Sequence, residues 1–248
     1  MKQLELLHEG KSKQVYKTDS ENHIIIRFKD DATAFYNIKR AKIENKGKMN
    51  AEISSLVLDY LNRNGIKTHF VERDGDDGQL CRVVEHFPIE VIVRNIIAGS
   101  MAKRLGLDEG LVPDNTIFDL CLRDSELGDP LINDHHAVAL GLVSYDELAA
   151  IYEASAKINV LLEELFHKAG IILVDFKIEF GRTADGELIL ADELTPDTCR
   201  LWDEATGERM ASVLSQLVEM NYEEYMDWNG GTCYFDGEAF LNALKYAD

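Results

Sequence analysis

The chain has 248 residues, 46% of them hydrophobic, enough to bury a sizeable core as one large domain or two small ones. Asp and Glu number 45 against 26 Lys and Arg, a formal charge of −19. This argues against a nucleic-acid or anionic-membrane surface, while a few converging Lys and Arg residues could still make a local pocket for a phosphorylated ligand. Cys81, Cys121, Cys199 and Cys233 include no CxxC pair, so neither a zinc site nor a disulfide framework is indicated, and a reducing cytosol fits. The N-terminus has no apolar run of signal-peptide length, and no run of about eighteen apolar residues occurs anywhere.

In chain order, residues 4–8, 14–17 and 23–28 read as short antiparallel strands, the last closed by Lys29-Asp30-Asp31. Their first connection, Glu9-Gly10-Lys11-Ser12-Lys13, is a glycine turn carrying two lysines. Such a turn can cover a polyphosphate with backbone N–H groups and mobile charge; a plain solvated turn is the competing reading. From Lys46 an amphipathic helix buries Met49, Ile53, Leu56, Val57, Tyr60 and Leu61 and stops at Asn64-Gly65. Strands at 66–72 and 79–86 follow, and Phe87-Pro88-Ile89 marks a hinge between a small lobe and a larger one.

The second part opens with a buried strand at 90–97 carrying Arg94, and Ala98-Gly99-Ser100 starts a short helix ending at Gly106. An arginine leaving a strand next to a serine at a helix start suits a monophosphate, and equally an arginine paired with an acid. Residues 108–139 read as a long, loop-rich stretch that includes Asp129-Pro130. In it His135 and His136 lack further ligand spacing and take a surface or packing role. Ser144-Tyr145-Asp146-Glu147 is a capping box for a helix running to Ala169-Gly170. Two helices, at about 206–228 and 236–246, close the chain.

Residues 173–203 form the most informative stretch. A two-residue period puts Asp175, Lys177 and Glu179 on one face and Val174, Phe176, Ile178 and Phe180 on the other. The Asp185-Gly186 pair signals a two-residue hairpin turn, and counting back from it sets Glu179 opposite Asp192. Facing carboxylates are destabilising across a strand pair unless a cation lies between them, and Mg²⁺ commonly uses one or two carboxylates plus substrate phosphates. A merely solvated strand face is the alternative. Cys199 reads as a small filler in a turn.

Several segments together resemble one family: GKSKQVY from Gly10, NKGKMN from Asn45, VIVRNIIAGSMAKRLG from Val91, LVDFKIEFG from Leu173 and ADELTPDTCRLWD from Ala191. The chain is similar to the phosphoribosylaminoimidazole-succinocarboxamide synthases, or SAICAR synthetases, over nearly all of residues 4–202. The resemblance implies a two-lobed α+β fold, antiparallel sheets with flanking helices, related to the ATP-binding lobes of protein kinases and ATP-grasp enzymes. Residues 1–87 would form the small lobe and 88–248 the large one, with ATP in the cleft between them.

It also implies a cytoplasmic ligase, a homodimer, that uses ATP and Mg²⁺ to join L-aspartate to a carboxylated aminoimidazole ribonucleotide. By the same resemblance Glu179 and Asp192 would hold Mg²⁺, and Lys11 and Lys13 would cover the ATP phosphates. Glu85, Phe87 and Ile89 would present backbone to adenine, and Lys177 and Asp175 would be catalytic. Arg94, Ser100 and Arg200 would bind the 5′-phosphate, with Asp129 near the substrate entrance. A small-molecule kinase that releases a phosphorylated product and a nucleotide sensor without turnover are the rival readings.

Overall fold

The computed structural model describes residues 1–34 and 39–210. The chain begins as a meander, β1 (Gln3–Glu9), β2 (Lys13–Thr18) and β3 (His23–Phe28), followed by a two-stranded ribbon of β4 (Asp31–Ala34) and β5 (Lys39–Lys42). Helix α1 (Lys46–Arg63) then leads to β6 (Phe70–Arg73) and β7 (Gly78–Arg82). β7 pairs with β3 and β6 with β7, giving an antiparallel five-stranded sheet in the order β1-β2-β3-β7-β6. The apolar stripe of α1 packs against β3, β6 and β7, with Ile53, Val57, Leu58 and Leu61 almost fully buried. That burial, rather than intrinsic propensity, holds a helix of this length in place.

The run expected as a strand at 79–86 is broken in two. Val83 donates its N–H to the Asn22 carbonyl, and the chain then leaves the first sheet to enter the second as β8 (Glu85–His86). Of the strand expected at 66–72 only the end joins β6, while Thr68 makes a lone parallel bridge to Leu190.

The second sheet is built on β12 (Ile171–Arg182). At about 3.3 Å per residue its twelve residues span roughly 40 Å, long enough to serve two sets of neighbours. On one side β14 (Cys199–Asp203) pairs with residues 171–176 and β13 (Leu188–Ala191) with 179–182; on the other β9 (Ile89–Arg94) pairs with 175–178 and β8 with 181–182. Outside β9 lie β10 (Ile117–Leu122) and β11 (Leu131–Ile132), and outside β14 lies β15 (Arg209–Met210). Phe176, Ile178 and Phe180 are each at most 2% exposed beneath α4 (Tyr145–Lys168) and form one continuous core with α1, β9 and β13; Val174 is also fully buried but lies at a β12 irregularity and outside that cluster, where Leu173 takes its place. Two short helices, α2 (Gly99–Leu105) and α3 (Asp134–Ala139), complete the described elements.

The stretch expected to be loop between 108 and 139 therefore contains two strands and a helix. Turn-rich flanks mask the six-residue β10, whose Leu120 and Cys121 are buried against β9. His136 belongs to a capping box with Asn133 at the start of α3, and His135 contacts the Tyr145 hydroxyl, so both histidines have the packing role expected of them. The helix expected from residue 206 starts instead as a turn. Asp203 accepts from the N–H groups of Ala205 and Thr206, and the chain doubles back into β15. Competition from a local side-chain acceptor explains the miss. The rest of that helix and the closing helix at 236–246 lie outside the described residues.

Ser144 caps α4 as expected: its Oγ accepts from Glu147 N–H while Glu147 Oε2 accepts from Ser144 N–H. Ser144→Ala is expected to cost about 1 kcal/mol in urea unfolding. A loss below about 0.3 kcal/mol would mean that packing alone sets the start of this helix.

Candidate active site

The polar face of β12 is assembled by cross-strand register. Asp175 sits opposite Arg94 of β9 on one side and Arg200 of β14 on the other, and Lys177 sits opposite Ile92. Continuing that register by two residues brings Glu90 against Glu179. Lys177 bridges the two acids, with Nζ 2.7 Å from Glu90 Oε1 and 2.9 Å from Glu179 Oε1. The acid that meets Glu179 across the sheet is Glu90 on β9, and the group between them is the Lys177 ammonium, not the divalent cation expected between Glu179 and Asp192.

The expected pairing of Glu179 with Asp192 is not observed. Glu179 faces Ala191 in the β12–β13 ladder, because the hairpin loop has three residues, not two. Thr183 N–H bonds Glu187 O, Gly186 N–H returns to Thr183 O, and Gly186 takes φ 85°. This is the turn-plus-glycine arrangement that supplies the extra residue and shifts the register by one. Asp192 instead leaves the strand in the left-handed region at φ 64°, a conformation that aspartate tolerates better than most residues. Its carboxylate pairs with Lys13 from the glycine turn, and Lys13 Nζ also lies 3.3 Å from Glu193 Oε1.

These groups share one electrostatic environment. Burial alone would raise the Glu179 carboxyl, but His86, Lys177 and Arg123 outweigh it and hold the group well below the usual carboxylate range. Burial would likewise lower the two lysines. Glu179, Asp192 and Glu90 instead raise Lys177, and Asp192, Glu193 and Glu179 raise Lys13. For Glu90, Glu193 and Asp175, burial wins and pushes each carboxyl upward. His69, beneath Asp192 with its Nε2 3.8 Å from Cys81 Sγ, is pushed down to about 4 by burial and stays neutral.

Two buried oxygens here have no hydrogen-bond partner, Glu179 Oε2 and Glu193 Oε2. The first is 2.8 Å from Arg123 Nε and 3.4 Å from His86 Nδ1, without an aligned hydrogen bond to either. Among the described residues no three His, Cys, Asp or Glu side chains converge as a complete metal-binding set. The carboxylate oxygens of Glu179 and Asp192, with Glu179 Oε2 ion-paired to Arg123 but short of a hydrogen bond, are of the type a hard divalent cation takes alongside ligands from a bound phosphate or water.

The residues expected to bind the ribonucleotide are brought together, though Arg94 is heavily committed. It is 2% exposed, with Nε 2.9 Å from Asp119 Oδ2 and Nη1 2.9 Å from Asp175 Oδ2. Arg200 bonds the same Asp175 oxygen, and its guanidinium lies so close over Gly99 that a Cβ there would collide with it. Exposed Ser100 is the next residue on α2. Asp129, at φ 48°, is near enough to Glu90 for its charge to act on it.

Lys11 is exposed on the glycine turn, and Glu85 is exposed at the start of β8. Phe87 and Ile89 are each 1% exposed, the Phe87 ring lying under the Arg182 guanidinium at 4.4 Å, so these two residues could face a ligand only through their backbone. The Phe87 N–H already bonds Phe180 O.

Sequence reasoning missed Glu90, Glu193, His86 and Arg123. It also missed a buried Lys46–Asp197 pair to which Asn50 adds a 2.9 Å hydrogen bond. A usable signal existed for Glu90: it shares a strand face with Arg94 in an otherwise apolar segment.

Comparisons with known proteins identify the family of the chain. The family model described as SAICAR synthetase matches residues 6–228. A phosphoribosylaminoimidazole-succinocarboxamide synthase of Fusobacterium nucleatum is 58% identical over 210 residues, covering 85% of this chain and 89% of the relative. The crystal structure of the synthase from Ehrlichia chaffeensis aligns with a TM-score of 0.86 at 36% identity, over 97% of this chain and 98% of its own. A SAICAR synthetase solved in complex with ADP aligns at 0.82 and 39% identity, over 94% and 98% of the two chains. The α+β framework and this degree of likeness place the chain in the SAICAR synthetase family.

Proposed function

We infer that this chain is an ATP-dependent amide-forming ligase of purine biosynthesis. It joins L-aspartate to the carboxylate of 5-amino-1-(5-phosphoribosyl)imidazole-4-carboxylate, giving the succinocarboxamide, ADP and phosphate. A carboxylate is a poor acyl donor because oxide would have to leave. One of its oxygens therefore attacks the γ-phosphorus, the bond from that phosphorus to ADP breaks, and an acyl phosphate results. The aspartate amine then attacks the acyl carbon, phosphate departs with the C–O bond electrons, and the nitrogen loses a proton. Such chemistry asks a protein mainly for positioning and charge neutralisation.

The observation that carries the residue assignments is the Lys177 bridge beside the Lys13–Asp192 pair, with the Glu179 carboxylate buried in a shared cluster of charge. ATP lies in the cleft between the lobe of residues 1–87 and that of 88–248. Lys11 and Lys13 cover its phosphates, and the backbone of Glu85, Phe87 and Ile89 borders the adenine. Glu179 and Asp192 would hold Mg²⁺, which when bound would supply charge neutralisation to the polyphosphate.

Lys177 stays protonated among Glu90, Glu179 and Asp192 and meets the charge that develops on the transferring phosphoryl group. Asp175 holds Arg94 and Arg200 side by side, so that with Ser100 they receive the 5′-phosphate, and Asp129 borders the substrate entrance. The cytoplasmic homodimer belongs to the same reading.

The test is ADP release with the ribonucleotide, run with and without L-aspartate and coupled to detection of the amide. Amide formation that requires all three substrates is the expected result. A stable phosphorylated product accumulating without aspartate would make the protein a kinase.

A further inference from the structure

Glu193 follows Asp192 at the exit of β13 and is 7% exposed. Its Oε1 lies 3.3 Å from Ser12 Oγ and 3.3 Å from Lys13 Nζ, both on the glycine turn that begins the chain's second strand. Its Oε2 has no partner. The turn is also held by backbone bonds, Gly10 N–H to Lys13 O at 2.8 Å and Lys29 N–H to Ser12 O at 2.7 Å, and by Lys29 Nζ, which reaches Gly10 O at 3.5 Å and Glu9 Oε1 at 2.8 Å. Among the described residues Glu193 and Asp192 are the groups of the large lobe that grip it.

A buried carboxylate with one unsatisfied oxygen is unfavourable for folding, and an uncharged side chain of the same shape would stabilise the fold better. The charge at residue 193 therefore calls for a functional reason. Asp192, for its part, cannot serve both Lys13 and a cation at full strength. If its carboxylate turns to a cation, Lys13 needs another counter-ion to stay in the cleft, and Glu193 offers one at 3.3 Å with an oxygen to spare.

We propose that Glu193 is a positioning residue: it seats the Gly10–Lys13 turn through Ser12 and keeps the Lys13 ammonium over the nucleotide phosphates when Asp192 is engaged elsewhere. This rests on the reading of the turn as the cover of the ATP phosphates. Glu193 itself touches no substrate, so its effect must appear in nucleotide binding and not in the ribonucleotide site some distance along β12.

The experiment compares Glu193→Gln, Ser12→Ala, their double variant and Lys13→Met in the full chain. Its readouts are steady-state kinetics, ADP affinity by calorimetry in the presence of Mg²⁺, and thermal unfolding. Glu193→Gln should raise the KM for ATP and the ADP Kd about tenfold, the size of one lost charge-assisted contact. The ribonucleotide KM should be unchanged and the Tm equal to or above that of the unmodified protein, which a merely structural role would not give. The double variant should be little worse than Glu193→Gln alone, because both changes remove the same link.

Unchanged ADP affinity in Glu193→Gln, with Lys13→Met weakened, overturns the role of Glu193 while leaving the phosphate-cover reading intact. Unchanged affinity in Lys13→Met overturns that reading and the proposal with it. Should Glu193→Gln not fold, Ser12→Ala decides the case: a raised ADP Kd supports the link, and an unaltered one overturns it.

Discussion

Glu179→Gln is expected to lower kcat by about two to three orders of magnitude, the loss typical of removing one preorganised electrostatic partner from a transition state. Glu179 is the one carboxylate of the cluster held well below the usual range despite burial, so it is ionised throughout the working pH range and supplies a full negative charge. The amide keeps the volume and removes the charge. Lys177 retains Glu90 at 2.7 Å, so the variant should remain folded. Mg²⁺ titrations of ADP release should show a higher half-saturating concentration as well as the lower plateau.

Asp192→Asn is the companion variant. Asparagine accepts a left-handed backbone, so the φ of 64° survives while the carboxylate is lost. A Mg²⁺ dependence like that of the unmodified protein in both variants would remove these two residues as cation ligands.

What the sequence made legible follows from how local each signal was. The alternation of β12 is carried by adjacent residues, so the greasy and charged faces were readable from it, and the same holds for the capping box of α4. Asp192 was placed wrongly by one residue because the turn type depends on which hydrogen bonds Thr183 and Gly186 make, and Asp-Gly is compatible with both a two-residue and a three-residue loop. Glu90 was missed because its meaning arises only once β9 lies beside β12. Nothing within the segment from Glu90 to Arg94 announces that its acid faces another from a strand about ninety residues later. β10 was hidden by its turn-rich flanks, and Glu193 by its identity as one more acid in an acidic chain. Pairing between strands remote in sequence is a tertiary property, and it decides which charges meet.

Arg94→Ala should produce two separable effects. The first is on stability: Arg94 is 2% exposed and bridges Asp119 and Asp175, so its removal leaves two largely buried carboxylates short of a cation, a change that costs about 3–5 kcal/mol. Arg200 still reaches Asp175 and Arg104 still reaches Asp119, which limits the damage and should allow purification at low temperature. The second effect is on binding. With Nε and one N–H of Nη1 engaged, the guanidinium keeps three N–H groups for a ligand. Losing a charge-assisted bond from them should raise the KM for the ribonucleotide about ten- to hundredfold while that for ATP stays within about twofold.

Arg94→Lys tells the two roles apart. A lysine restores the charge but not the fork that reaches Asp119, Asp175 and a phosphate at once, so stability should recover partly and the ribonucleotide KM little. Urea unfolding and paired steady-state titrations of the two substrates check both effects. If the ribonucleotide KM is unaltered in an Arg94→Ala enzyme whose stability has fallen, Arg94 is the strut that aligns Asp175 and Arg200, and the phosphate belongs to Arg200 and Ser100 without it.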